Sequence, residues 1–231
     1  MMRYFKIEEK IIDFERKERG LPSDIPGVSG EAVPNGKYYF ARIGEGEIIE
    51  DAPIFDFFHL KSFGPKKEWE WCIQDLHQLR GVGSIMTGWY ISQPFKRLLE
   101  KCKIIGSYHF YQSKLLYKGE KLDYWFFQFT PDTVHNIIFP DSVFYLQNED
   151  YIMERIYSYD EYLKVRRYYG RELDKELKVK LLCCKEPFDF CMDRVSGDKL
   201  ASERLKNEIE DAGLMGVEFF DTSYEIKVLN T

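Results

Sequence analysis

One segment of this chain is written twice. Ser92, Lys96, Glu100, Gly106, Phe110 and Ser113 recur, 110 residues later and without a gap, as Ser202, Lys206, Glu210, Gly216, Phe220 and Ser223. Six identities over 22 positions compare with roughly one expected by chance, and apolar character persists between them, with Phe95 and Leu99 meeting Leu205 and Ile209. A duplication at this offset restricts the 231 residues to two related halves, 1–118 and 119–231, joined near 116–123 and forming one compact unit.

Each copy has a local physical reading. Ser92 and Ser202 precede amphipathic segments, where a serine hydroxyl accepts the amide hydrogens left open in a helix's first turn. Phe95, Leu98, Leu99 and Cys102 share one face of the first segment, as Leu205, Ile209 and Ala212 share one face of the second. Lys96 with Glu100, and Lys206 with Glu210, fall at i, i+4 on the exposed side. Gly213 and Gly216 then turn the chain into an aromatic strand. Each copy reads as cap, helix, tight turn and strand.

Aromatic residues make up 16% of the chain, with 18 Phe and 16 Tyr, and such side chains favour strands and half-buried surfaces. The expected class is therefore α+β, antiparallel strands with packed helices. Residues 2–8, Tyr38–Ile43, 54–58, Tyr124–Phe129 and Lys178–Cys183 read as strands, and Phe188–Met192 as a half-buried one. Trp69, Cys72, Ile73 and Leu76 fall at helical spacing before Gly81, and Ile152–Arg167 reads as a further helix. Leu21–Gly36, rich in proline and glycine, reads as a surface loop, and Pro131 and Pro140 bracket a short element.

A net charge of −6 disfavours a general nucleic-acid binder, which needs a basic footprint. The acidity is uneven: residues 1–115 carry 17 basic and 16 acidic side chains, leaving 16 basic and 23 acidic for the remainder. No apolar run approaches the ~20 residues of a membrane span, and the start lacks the apolar stretch of a signal peptide, so the expected location is cytoplasmic. Cys72, Cys102, Cys183, Cys184 and Cys191 make a poor disulfide framework, which suits a reducing compartment. Together with His59, His77, His109 and His135 they show no zinc spacing.

Catalytic patterns are equally sparse. Ser92 and Lys96 could suggest a serine nucleophile with a lysine base, but a capping serine commits its oxygen to backbone amides and the lysine points along the solvent face. Gly81-Val-Gly-Ser lacks the lysine of a phosphate loop and reads as a turn. Asp123, Asp132, Asp141, Asp189 and Asp193 supply carboxylates without revealing a fixed pair. His135, in an apolar stretch, reads as a hydrogen-bonded core histidine, and His109 has Phe219 as its counterpart, which argues against a base at that position.

The closing motif, Leu200-Ala-Ser-Glu-Arg-Leu-Lys-Asn-Glu-Ile209 followed by Gly213-Leu-Met-Gly-Val-Glu-Phe219, resembles a pattern of bacterial polymorphic-toxin immunity proteins: x-x-S-E-R-h-K-x-x-h, then G-h-x-G-h-x-F. Tyr90-Ile-Ser-Gln-Pro-Phe-Lys-Arg-Leu-Leu99 resembles that family's first serine-capped helix, departing from it at Gln93-Pro94, where Glu-Arg is expected. Tyr124-Trp-Phe-Phe with Asp141-Ser142 is similar to its middle region. The resemblance spans residues 85–225 and rests on scaffold motifs, so it transfers no site residues. It implies an immunity protein that binds and neutralises a cognate protein toxin, with no catalytic residue, no metal and no cofactor. The acidic second half suggests a basic toxin, plausibly a nuclease, met through aromatic and acidic loops, with no nucleic acid or membrane bound directly. The competing expectation is a small hydrolase or transferase with a pocket between the halves.

Overall fold

The computed structural model describes residues 2–21, 23–61, 72–83, 85, 87–147, 153 and 155–229. In chain order the elements are β1 (Tyr4–Glu9), α1 (Phe14–Glu18), β2 (Gly27–Ser29), α2 (Gly36–Gly44), β3 (Phe55–Lys61), β4 (Leu76–Gln78), β5 (Gly88–Ser92), α3 (Gln93–Leu99), β6 (Ile104–Ile105), β7 (Tyr108–Tyr117) and β8 (Glu120–Phe129). Two 3-10 turns, Val134–Asn136 and Phe139–Asp141, lead to β9 (Val143–Leu146), α4 (Tyr159–Glu172), β10 (Leu177–Cys184), β11 (Phe190–Met192), β12 (Lys199–Ser202), α5 (Glu203–Asp211), β13 (Val217–Asp221) and β14 (Glu225–Val228). The class is α+β with mostly antiparallel pairing.

The first lobe is one six-stranded sheet, β2-β3-β7-β8-β5-β4, whose edges meet. A bridge between Val28 and Leu79, together with Arg80 N–H donating to Val28 O and Gly30 N–H to Val82 O, both at 2.7 Å, closes it into a barrel. Alternate residues of β8 divide between two cores. Tyr124 and Phe126 join Phe55, Phe58, Tyr90 and Tyr111 inside, while Phe127 and Phe129 point out toward the second lobe. Inside the barrel the polar ends are paired: Tyr90 Oη lies 2.8 Å from Ser113 Oγ, and Tyr111 Oη donates to Gln128 Oε1 at 2.8 Å. Helix α2 closes the interior by burying Phe40 and Ile43, with Phe40 5.3 Å from Phe55 and 5.5 Å from Phe58.

The second lobe repeats the arrangement in two sheets, β13-β1-β12-β11-β6 and β14-β10-β9. Ser92 pairs with Tyr124 on β8, and Ser202 pairs with Tyr4 on β1. Leu76 of β4 faces Ile91 as Phe190 of β11 faces Ala201. The order β7-β8-β5-β4 is thus matched by β13-β1-β12-β11. Strand β8 lies beyond residue 118 and completes the first lobe, whereas β1, the first strand of the chain, completes the second. The sheets do not divide at 118: each half of the sequence lends its opening strand to the other half's lobe.

The echo holds in space with one amendment. Both serines cap, accepting from the amides three residues on at 3.4 Å (Phe95) and 3.1 Å (Leu205). Lys96 Nζ sits 4.4 Å above the Trp125 ring and 5.2 Å above Phe110; Lys206 Nζ sits 4.4 Å above Phe5 and 5.8 Å above Phe219. Phe110 faces Phe127 where Phe219 faces Ile7, so the counterpart of Phe110 is Phe219, not Phe220, and that of His109 is Glu218. The ungapped match slips by one residue between helix and strand.

Several local readings give way to tertiary packing. Tyr38–Ile43 is helical because Phe40 and Ile43, three apart, enter the barrel while Tyr38 stays exposed. Leu76 lies on β4 rather than on a helix, and Trp69 falls outside the described residues. Helix α4 begins at the Ser158 cap, later than expected; Ile152 lies outside the described residues. Residues 27–29, expected in a loop, form β2. β11 is buried on both faces because it runs between β12 and β6.

The lobes are fastened by two equivalent aspartates. Asp75 Oδ1 accepts the hydroxyl of Ser92 at 2.7 Å and its Oδ2 accepts Met215 N–H at 2.9 Å, from the loop after α5. Asp189 Oδ1 accepts Ser202 Oγ–H at 3.0 Å and its Oδ2 accepts Lys103 N–H at 2.7 Å, from the loop after α3. Each carboxylate orients its own lobe's capping serine and holds the other lobe's post-helix loop. Ser202→Ala should lower unfolding free energy by about 1 kcal/mol through the lost cap. Asp189→Ala should cost more, about 2–3 kcal/mol, because the Lys103 amide and the Ser202 hydroxyl both lose their acceptor. Denaturant titration of the two single variants and the double variant should show less than additive losses.

Candidate functional site

The space between the lobes, where a pocket was the competing expectation, is filled. Trp89, Phe127, Phe129 and Phe190 are buried there, with ring centroids 5.0–5.1 Å apart for Trp89–Phe190, Trp89–Phe129 and Phe129–Phe190. The candidate catalytic groups are scattered around this core. Asp123 pairs with Lys114 at 2.5 Å and Asp141 with Arg155 at 3.1 Å, both on the surface. Burial raises the Asp189 carboxyl, but Arg204, Lys103 N–H and Ser202 outweigh it and hold it below the ordinary carboxylate value. Lys96 is ion-paired with Glu100, and the Ser92 hydroxyl is committed to its cap and to Asp75, so they do not form a nucleophile and base.

The histidines exchange roles relative to expectation. His135 is exposed in the middle of the 3-10 turn Val134–Asn136. His77, unremarkable in sequence, is the buried one: its Nδ1–H donates to Pro26 O at 2.8 Å and its Nε2 accepts Gln74 N–H at 3.0 Å. Burial pushes its pKa down to about 4, against weaker upward pulls from the Pro26 carbonyl and Asp75. His109 is half-buried beside Tyr111, with its pKa lowered by desolvation.

One buried polar cluster was not foreseen. Asp193 accepts Val195 N–H at 3.2 Å and, through Oδ2, both Ser196 N–H at 2.7 Å and Ser196 Oγ–H at 2.6 Å. Ser196 Oγ lies 2.8 Å from Tyr224 Oη, which donates to Asp198 Oδ2 at 3.2 Å. The cluster borders a cavity of about 220 Å³ shared by Tyr162, Arg166, Lys178 and Ser223. Desolvation raises the Asp193 carboxyl, partly offset by its bonds from the Ser196 hydroxyl and from the Ser196 and Val195 amides. These bonds close the β11–β12 hairpin, and the serine hydroxyl serves as its hinge pin. Among the described residues no group of three or more His, Cys, Asp or Glu side chains is placed to hold a metal. Burial pushes Cys184 up to about 12 and raises Cys183 and Cys191, leaving these thiols protonated and poorly nucleophilic.

A continuous exposed face does form on the second lobe, where α5 lies beside β1 and the edge strand β13. A groove of about 400 Å³ runs between them, lined by Arg3, Phe5, Glu203, Lys206, Phe219 and Asp221. A neighbouring groove of about 450 Å³ shares Arg3 and Asp221 and continues past Met2, Tyr4, Thr222 and Glu225. Arg3 pairs with Asp221 at 2.7 Å and its guanidinium lies 4.8 Å from the Phe5 ring. Between Glu203 and Glu225 the chain carries seven carboxylates (Glu203, Glu208, Glu210, Asp211, Glu218, Asp221, Glu225) against Arg204 and Lys206, whose charges are already met by Asp189, Glu208 and Glu210. Helix and edge strand, rather than loops, present the acidity. Met2, 45% exposed, adds apolar surface at its margin, whereas Phe220 alternates with Phe219 and Asp221 and points to the opposite face of β13.

Among the described residues no helix is long and apolar enough to cross a membrane. The chain matches no protein-family model and no curated protein.

Stability should fall in mild acid because of His77. Its folded-state pKa of about 4 lies below the ordinary 6.5, so the unfolded chain takes up the proton first as pH drops. The neutral ring's contribution is complete above pH 6.5 and is lost progressively down to pH 4, a span corresponding to about 3 kcal/mol. Urea titrations between pH 7 and pH 4 should show this decline, and His77→Gln should flatten it.

Proposed function

We propose that this protein is an immunity protein, neutralising a cognate toxin by binding it on the face made by α5, β13 and the start of β1. The observation that carries the reading is the pair of adjoining grooves with Glu203, Asp221 and Glu225 in their walls, beside an α5 that carries more carboxylates than cations, since exposed carboxylates attract a basic protein surface. The serine-capped helix of the family pattern, Ser202 with Glu203-Arg204-Leu205-Lys206, is the helix that forms one wall of that face. Edge strand β13 pairs only with β1 among the described residues, so a partner can also engage its open backbone groups.

The face combines what an inhibitory interface uses. The Arg3–Asp221 pair bridges the first groove, Lys206 packs over the rings of Phe5 and Phe219 within it, and Glu225 stands exposed in the adjoining one. A stable complex buries ~800 Å² on each partner, an area that one helix and one strand with their flanks can supply. A basic partner also suits a nuclease, whose own surface must be positive to hold nucleic acid. The protein would then neutralise without turnover, by occupying the toxin's working surface.

Where a gene for a large secreted protein lies beside this one, the C-terminal domain it encodes is the toxin to test. Co-expression should restore growth, and the association rate measured by stopped flow should fall about tenfold or more between low and physiological salt. Glu210→Lys/Asp211→Lys should slow association by a similar factor while leaving the melting temperature unchanged. An association rate indifferent to salt and to these substitutions would remove the acidic face from the reading, and failure of the chain to protect against that domain would remove the immunity role.

A further inference from the structure

Opposite in sign to α5, the middle of α4 carries a basic stripe, flanked at the helix ends by Asp160, Glu161 and Glu172. From Tyr162 to Arg171 the helix holds Lys164, Arg166, Arg167 and Arg171 and no carboxylate. All four cations are exposed, and none forms an ion pair among the described residues. Lys164, Arg167, Tyr168 and Arg171 follow one another at i, i+3, i+4 and i+7, so they form a single stripe, with Tyr168 56% exposed in its middle.

Helix stability explains only part of this stripe, since Lys164 follows Glu161 by three residues and Asp160 by four while Arg167 and Arg171 have no such partner. A basic residue near the C-terminus interacts favourably with the helix dipole, which accounts for Arg171, but Lys164 and Arg167 sit in the middle turns, where that effect has faded. Arg167 and Arg171 are like charges at i, i+4, an arrangement that weakens a helix. The other two surface helices of the duplicated motif do the opposite: α3 pairs Lys96 with Glu100, and α5 pairs Arg204 with Glu208 and Lys206 with Glu210. A cavity of about 670 Å³ opens between the end of α4 and the start of β10, lined by Arg166, Gly170, Leu173, Asp174, Glu176 and Leu177, and it lies around the helix from the stripe. The stripe therefore joins exposed guanidinium groups that make no ion pair among the described residues to an exposed tyrosine, residue types enriched in protein-binding patches.

We propose that the exposed face of α4 is a second docking surface, one that takes an acidic protein segment. Carboxylates at a spacing of three to four residues would meet Lys164, Arg167 and Arg171, the arginines offering bidentate geometry, beside the exposed Tyr168 ring. Charge favours a protein segment over nucleic acid. Four cations on a chain of net charge −6 neutralise few phosphates, and a long polyanion placed on α4 is repelled by the rest of the surface, whereas a short acidic segment spans only the stripe. The proposal is independent of the toxin-binding reading, because it concerns another element of opposite charge.

Fluorescence anisotropy with the full chain tests it, using fluorescein-labelled poly-glutamate and single-stranded oligouridylate of matched length at low salt. Poly-glutamate should bind, and Arg167→Glu/Arg171→Glu should weaken it at least tenfold, with Arg167→Gln/Arg171→Gln intermediate. Both variants should keep the wild-type melting temperature and toxin protection, since the substituted side chains are exposed and lie off the acidic face. No binding of poly-glutamate, or equal binding by the charge-reversed variant, would overturn the proposal. Tighter binding of oligouridylate would assign the stripe to nucleic acid instead, and salt-sensitive self-association lost on charge reversal would assign it to a second copy of the chain; either result would also overturn it.

Discussion

The carboxylates of Asp75 and Asp189 organise this molecule. Each stands where three separate requirements meet: a helix N-terminus must be capped, a strand must start in register, and a loop of the opposite lobe must be held. The backbone repeats the message, with Ser92 N–H donating to Asp75 O and Ser202 N–H to Asp189 O, both at 2.8 Å. Asp75 and Leu76 amides in turn donate to Met215 O, as those of Asp189 and Phe190 donate to Lys103 O. Satisfying so many backbone groups at one residue is worth more than any single bond, because each would otherwise be stranded at a largely dehydrated seam. Around these two points the aromatic core of Trp89, Phe127, Phe129 and Phe190 supplies the bulk of the burial.

Strand exchange follows from the same geometry. With β8 in the first lobe and β1 in the second, separating the lobes would unpair two strands as well as expose the seam. The halves of the sequence cannot open like independent domains. The result is a rigid support on which the outer elements can diversify, and they have done so. In the first lobe the barrel closes through β2 and β4 and is plugged by α2, whereas in the second the sheet breaks between β13 and β14 and leaves an open edge beside α5. That break is what creates the two grooves of the acidic face.

Charge diverged as well. Helices α3 and α5 occupy equivalent places and keep their Lys–Glu pairs, yet the segment after Ser202 is acidic where the segment after Ser92 is not. More than half of the excess negative charge of the second half therefore lies in α5 and β13, while the middle of α4 in that same half is basic. Surface charges of opposite sign act separately here, since each field reaches only about 10 Å at moderate salt.

What the sequence by itself determined is what neighbouring residues decide among themselves. Serine caps, i, i+4 pairs and glycine turns act within a few residues, so both copies of the capped helix were readable, and an aromatic content far above the ordinary made sheet structure a safe expectation. Only tertiary structure decided which strand completes which lobe, because Tyr4-Phe5 and Tyr124-Trp125 correspond at an offset of 120 while the helices correspond at 110, and no local rule links the two. It likewise made a helix of Tyr38–Ile43, whose burial depends on a barrel assembled from strands up to 90 residues away. It chose His77 over His135 for burial and moved the counterpart of Phe110 by one residue, since solvent exclusion and pairing register are set by distant chain segments.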